Sequence, residues 1–279
     1  EDTDGDTWTN VEEVYVGTNP FSPCGANAWP PDFDDSGYVD SADLNQVTRY
    51  FGQAVPPAPV RSDVRPSGYI DTADIARVNN FFGAPCPAPT YYIDPAGNDT
   101  TNSGLSPGAP WATVGKVNST NQAGKVFKFK RGGVWNEQLN ITTANITSID
   151  AYSTGALPTI DRNDASDCAV FTNAVKLTVS NFRVEDCAYS GFRVEGSGTS
   201  DVTFDGVYAT GNIAGLRTVG GTSSSTFTTI KNSSFIDNNV MSVDTVGGND
   251  DSGAFGILVN GGKVLVENNL FSGQEAHSY

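Results

Sequence analysis

Histidine and methionine each occur once in the 279 residues, and lysine plus arginine total 16 against 32 aspartates and glutamates. A single histidine, His277, and four cysteines without paired zinc spacing exclude the usual histidine- and cysteine-built zinc sites. A net charge of -16 leaves little to neutralise a phosphate backbone, which argues against nucleic-acid binding. No apolar run reaches the ~18 residues of a membrane-spanning helix. The chain opens on Glu1 rather than methionine, shows no secretory signal and stops at Tyr279 without a capping element, so it reads as an internal piece of a longer protein. With 38% apolar residues, a chain this long can hold more than one domain and a sizeable core. What is plentiful is aspartate, concentrated between residues 1 and 74.

Two copies of one pattern lie 31 residues apart, DFDDSGYVDSADLNQVTRYFG from Asp32 and DVRPSGYIDTADIARVNNFFG from Asp63. Each sets oxygen-bearing side chains at positions 1, 5, 9 and 12 and glycine at 6 (Gly37, Gly68), the spacing of a calcium loop. The candidate ligands are Asp32, Asp34, Ser36, Asp40 and Asp43 in one copy and Asp63, Ser67, Asp71 and Asp74 in the other. Position 3 separates them: Asp34 can ligate, whereas Arg65 brings positive charge where the cation belongs. The first copy is therefore expected to bind calcium and the second to be compromised. After each loop, Leu44, Val47 and Phe51, then Ile75, Val78 and Phe82, recur on one face of a short helix that Gly52 and Gly83 end.

This duplicated loop and helix, residues 32 to 83, resembles a type I dockerin. The resemblance implies a cohesin domain as partner, recognised through loop positions 10 and 11, here Ser41-Ala42 and Thr72-Ala73. The alternative is a calcium-stapled spacer without a cohesin partner. Cys24 and Cys86 bracket the pair in equivalent register, 62 residues apart. They are either free buried thiols or, in an extracellular setting, a bridge worth about 4 kcal/mol in loop-closure entropy. Cys168 and Cys187 have no evident assignment.

At the start, EDTDGDTWTNVEEVYVGTNPFSP places Asp2, Asp4, Asp6, Asn10 and Glu13 at positions 1, 3, 5, 9 and 12 of a further loop. Thr7 stands where the turn prefers glycine. The segment resembles the bacterial thrombospondin-type-3-like repeats, which implies rigid calcium-dependent spacing. Residues 1–22 are thus expected to form that repeat and residues 23–88 the dockerin-like domain.

Beyond the proline-rich stretch 84–89 the composition shifts to Gly, Asn, Ser, Thr and Val in short alternating runs. An imperfect repeat emerges, with Asn181, Gly206 and Asn232 spaced by 25 and 26 residues. Period-two alternation sends Leu177, Val179, Phe182, Val184, Phe192 and Val194 inward, then Val202, Phe204, Val207, Ala209 and Leu216. Ile230, Phe235, Ile257, Val264, Val266 and Phe271 continue the stack. Asn181, Asn232 and Asn268, with Gly206, form a ladder along one corner. YYIDPAGNDTTNSGLSPGAPWATVGKVN (91–118) followed by FKFKRGGVWNEQLNI (127–141) resembles the start of secreted pectate-lyase-like β-helix proteins. The expected class is an all-β right-handed parallel β-helix over residues 89–279, incomplete at its C-terminus, behind a small α-helical dockerin-like domain.

Candidate chemistry lies on the outward columns. Arg193 and Arg217 share a register on adjacent rungs, an arrangement that either meets an anion such as a polyuronate or is neutralised by Glu195 nearby. Asp205, Lys231 and Glu267 alternate in sign and read as an ion-pair ladder. A glycine-rich insertion between Met241 and Ala254 holds Asp244, Asp250 and Asp251, either a functional loop or a solvated turn. A glycoside hydrolase would need two carboxyl groups about 5–5.5 Å or about 6.5–9.5 Å apart. A polysaccharide lyase would need a cation or arginine and a base, for which Arg193, Arg217 and His277 are candidates. The NTD, GHG and RIK patterns of polygalacturonases are absent. The Asn-X-Ser/Thr matches at Asn98, Asn118, Asn140, Asn145 and Asn232 read as chance in asparagine-rich turns, since the dockerin resemblance implies bacteria. The expectation is a secreted carbohydrate-active protein docked by calcium-bearing repeats, or a non-catalytic glycan-binding or adhesion protein.

Overall fold

The computed structural model describes residues 1–142, 148–242 and 252–275. Asp244, Asp250, Asp251, His277 and the Asn145 match lie outside them. The chain divides into two compact units, Glu1–Thr90 and Tyr91–Tyr279.

In the first unit three aspartate-rich loops each lead into a short helix, α1 (Asn10–Val16), α2 (Ser41–Thr48) and α3 (Thr72–Asn79). The helices start where they do because Thr9, Asp40 and Asp71 cap them and Glu12, Asp43 and Asp74 return the bond in reciprocal capping boxes. Gly17 ends α1 in the left-handed region. The 31-residue copies embrace each other: Gly52 N donates to Ile70 O and Gly83 N to Val39 O, both at 2.7 Å. Trp8 joins Trp29, Val39, Val47, Val64, Ile70 and Val78 in one core. Residues 1–22, read from sequence as a separate repeat, therefore share a unit with 23–88. Cys24 and Cys86 form a disulfide that closes the ends of the duplicated pair.

The fold class expected from sequence is corrected on these facts. Helix in the first unit amounts to segments of 7, 8 and 8 residues and one 3-10 turn, Val60–Ser62, so there is no α-helical domain in front. The reason is local: each calcium-type loop takes twelve residues of its repeat, and two turns of helix are left before the chain must cross to the other copy. Nor is the second unit free of helix, since Val114–Ser119 forms one turn and a half behind its Thr113 cap. The chain is mainly three parallel sheets with few helices.

Those sheets have seven, six and five strands, and successive strands of the chain pass from one sheet to the next. One runs through Val126–Lys130, Ser148–Tyr152, Thr178–Ser180, Val202–Asp205, Phe227–Lys231 and Lys263–Glu267, each parallel to its neighbour. Another runs through Leu139–Ile141, Ala169–Thr172, Ser190–Glu195, Ala214–Thr218 and Phe255–Val259. Alternation buries Phe171, Val179, Phe192 and Phe204 between the sheets. Asn181, Asn232 and Asn268 sit at φ 51°, 53° and 51° and Gly206 at 68°, so the corner demands residues that tolerate the left-handed region. The ladder is real: Asn268 Nδ2 donates to Asn232 Oδ1 and Asn232 Nδ2 to Asp205 Oδ1, both at 2.8 Å. Val266 and Phe271, expected inside, are 44% and 45% exposed because no described strand pairs onto the far side of theirs. Cys168 and Cys187 form a second disulfide across 19 residues.

Candidate metal centres and an arginine cleft

The first loop, residues 2–13, gathers carboxylates of which Asp2 accepts from Gly5 N at 2.8 Å and Thr7 N at 3.0 Å, while Asp4, Asp6 and Glu13 keep oxygens without donors among the described residues. Asp4 is 5% exposed and Asp6 and Glu13 are fully buried. Asp4 Oδ2, Asp6 Oδ2 and both oxygens of Glu13 have no hydrogen-bond partner. One oxygen from each of Asp2, Asp4 and Asp6 lies within 4.8 Å of the others. Backbone donors reach only the remaining oxygens, Asp6 N to Asp4 Oδ1 at 3.3 Å and Trp8 N to Asp6 Oδ1 at 2.8 Å. Burial first, then repulsion from Asp4, Asp6 and Asp2, pushes Glu13 up to about 8. Burial also raises Asp4 to about 6 and Asp6 to about 7. Asn10, the expected position-9 ligand, turns away: its amide oxygen accepts from Thr3 N at 3.0 Å and its nitrogen donates to Thr3 Oγ1 at 2.8 Å. An all-oxygen set with orphaned anionic atoms fits a hard divalent cation.

The second loop, 32–43, meets its charge differently. Asp32 Oδ1 and Oδ2 accept from Ser36 N at 3.0 Å and Gly37 N at 2.8 Å. Asp43 Oδ1 accepts from Phe33 N at 2.6 Å and Asp34 N at 3.4 Å, and its Oδ2 from Asp40 N at 2.8 Å. Oxygens of Asp32, Asp34 and Asp43 still converge within 4.8 Å, so a cation could be shared. Asp40 is occupied as the cap of α2, accepting from Ala42 N at 2.7 Å, and the Ser36 hydroxyl donates to Tyr38 O at 3.0 Å. Burial raises Asp32. Arg61, unremarked in the sequence, donates to the Trp29 and Asp32 carbonyls at 3.1 and 2.8 Å and braces the loop from behind.

In the third loop, 63–74, Asp63 accepts from Ser67 N and Gly68 N at 3.1 and 2.9 Å. Asp74 accepts from Arg65 N and Asp71 N, both at 2.8 Å. Asp71 caps α3 as Asp40 caps α2. The Arg65 side chain is exposed, beside Glu12 and Arg77. Tyr15 of α1 donates to Asp63 Oδ2 at 2.6 Å. The sequence signal for that contact was thin, a tyrosine three residues after Glu12 on the same helical face. Ser41, Ala42 and Thr72 are exposed in the first turns of α2 and α3, and Ala73 is half-buried.

On the sheets, Arg193 and Arg217 are direct register partners, but only one is neutralised. Arg193 pairs with Asp167 at 3.1 Å and Glu195 at 2.5 Å. Arg217 makes no ion pair among the described residues, and its Nε is buried without a partner. It lines a cleft of about 210 Å³ with Tyr189, Ser190, Ile213, Leu258 and Asn260. Tyr189 is exposed, and the buried Ser190 hydroxyl has no partner. Asp205 and Lys231 pair at 3.4 Å, but Glu267, the third member of the expected ladder and the register partner of Lys231, makes no ion pair among the described residues. Sequence reading missed Asp167 because it reaches Arg193 from an earlier turn. It also missed a glycine column, Gly191, Gly215 and Gly256, where a Cβ at Gly215 would meet Phe235 at 2.6 Å.

No family model and no curated protein matches the sequence. Two crystal structures of a GH136 lacto-N-biosidase from Eubacterium ramulus, selenomethionine and native, are 16% identical with TM-scores of 0.45 and 0.44. Each covers 52% of this chain, and the match spans 34% of that protein's length. A likeness this slight carries no argument about activity. No helix among the described residues is long and apolar enough to cross a membrane.

Proposed function

We propose that residues 1–90 are a calcium-binding module of an extracellular carbohydrate-active protein whose parallel sheets carry the glycan site. The calcium part rests on one observation above all: four buried carboxylate oxygens of Asp4, Asp6 and Glu13 have no donor. Buried anions without partners are costly, and a hard cation held by Asp2, Asp4, Asp6 and Glu13 supplies the missing positive charge. Asp32, Asp34 and Asp43 form a second, weaker candidate because backbone donors already serve them. The role of the ion is to fix structure, since no exposed apolar groove is tied to it. Two disulfides support an oxidising, extracellular setting.

For the sheets, the Arg217 cleft supports a sugar ligand, with Tyr189 as a stacking face and the guanidinium as partner for an acidic unit such as a uronate. Lyase and hydrolase chemistry both need an acid or base at the bond, and no carboxylate among the described residues lines this cleft. That favours glycan binding at Arg217, with any cleavage elsewhere on the chain. Docking to a cohesin through Ser41-Ala42 and Thr72-Ala73 is supported by their equivalent places at the two helix starts.

Calorimetry on the full chain tests the reading. Calcium is expected to give a strong heat that Asp6→Asn abolishes. Acidic oligosaccharides are then expected to bind, with Arg217→Gln weakening them about tenfold. A calcium heat untouched by Asp6→Asn, or no binding of any oligosaccharide, sinks the corresponding half.

A further inference from the structure

The third loop keeps the repeat's spacing without its need for an ion. Every carboxylate oxygen of Asp63 and Asp74 has a donor from the protein, and the Ser67 hydroxyl donates to Tyr69 O at 2.8 Å. Arg65 holds position 3. Asp32, the equivalent of Asp63, has only its two loop amides, whereas Asp63 has in addition the Tyr15 hydroxyl from outside the repeat.

Tyr15 arrives with a helix that touches the third repeat along one side. Glu12 and Tyr15, three residues apart, share a face. Glu12 pairs with Arg77 of α3 at 3.0 Å, and Arg77 lies over the Trp8 ring at 3.9 Å. Val11 and Val14, between these contacts, are exposed. At seven residues, α1 is well below the length at which a helix persists by itself. What fixes it is its first turn, where Thr9 and Glu12 form the capping box and Glu13 is buried against the first loop.

We infer that α1 is a strap: the ion held by Asp2, Asp4, Asp6 and Glu13 orders α1, and α1 brings to the third loop the hydroxyl and the ion pair that stand in for an ion there. This rests on the calcium reading of the first loop. The third loop takes no calcium, and its order is set by an ion bound two loops earlier in the chain. Coupling of this kind is reciprocal, so loosening the contact between Tyr15 and Asp63 weakens calcium at the first loop.

Hydrogen exchange on the full chain at saturating calcium tests the strap. In Glu13→Gln, amide protection across residues 63–79 is expected to fall on the order of tenfold while residues 32–48 keep theirs. Tyr15→Phe, which leaves every ligand in place, is expected to lower protection in the same segment and calcium affinity about fivefold. Asp63→Asn is expected to leave the number of bound ions unchanged. If Glu13→Gln loses its calcium heat yet residues 63–79 stay protected, the strap falls and the calcium reading stands. If Glu13→Gln keeps the strong calcium heat assigned to the first loop, both fall. An equal loss over 32–48, a silent Tyr15→Phe, or one ion fewer in Asp63→Asn also overturns the strap.

Discussion

The first and second loops share the spacing of their oxygen side chains and treat the charge in opposite ways. In the first, Asp4, Asp6 and Glu13 are buried with oxygens that have no donor among the described residues. In the second, Asp32 and Asp43 are equally buried, but backbone amides occupy their oxygens. The difference teaches that ligand spacing states where oxygens are, not whether a cation is required. A loop that closes on its own amides can fold without an ion, and a loop that leaves anions bare has to acquire one.

The largest break in that comparison should come with pH. Burial holds the folded-state values of Asp4, Asp6 and Glu13 at about 6, 7 and 8, above those of an unfolded carboxyl. The protonated acids favour the fold, so without calcium their contribution is complete below about pH 4 and is lost as pH rises through that interval. Calcium needs the carboxylates ionised, so its stabilisation grows over the same range, to about 2.7 kcal/mol at a hundredfold excess over Kd. Urea midpoints of the N-terminal unit, with calcium and with chelator, should diverge from acid to mild alkali. Parallel curves would show that the first loop is no more in need of an ion than the second.

A smaller effect should differ in sign between the loops. In chelator above about pH 8, Glu13→Gln is expected to stabilise the protein by removing a buried charge that has no partner. Asp43→Asn should instead cost about 1–3 kcal/mol, because one amide oxygen cannot replace two that serve three backbone donors. The same sign for both variants in thermal melts would erase the distinction. The smallest effect belongs to Asp40, which spacing makes a ligand and the structure makes a helix cap. Asp40→Ser should stay within about 0.5 kcal/mol of the parent and leave calcium affinity unchanged, whereas a large loss of affinity would return Asp40 to the ligand set.

Much of the second unit could be read from its residues. The left-handed corner at Asn181, Gly206, Asn232 and Asn268 and the pairing of Arg193 with Arg217 follow from a period that survives in the sequence. Burial at Val266 and Phe271 could not be read, because an inward position is covered only when another strand lies on it. The helical domain was over-read for a related reason: an i, i+3, i+7 pattern marks a face, whereas helix length depended on how soon Gly52 and Gly83 had to cross to the partner copy. Tyr15, Arg61 and Asp167 were invisible as site residues because each acts on a residue distant in sequence.

The sequence by itself determined where the acidic side chains recur, that the loops repeat every 31 residues, and that the long remainder alternates with period two. These are local matters, set by spacing along the backbone. Only the tertiary structure decided which of three similar loops leaves its anions bare, which of two neighbouring arginines has no ion pair among the described residues, and that the first segment packs into the same core as the duplicated pair. Satisfaction of a buried charge depends on what other parts of the chain bring within about 3 Å, and no spacing rule contains that information.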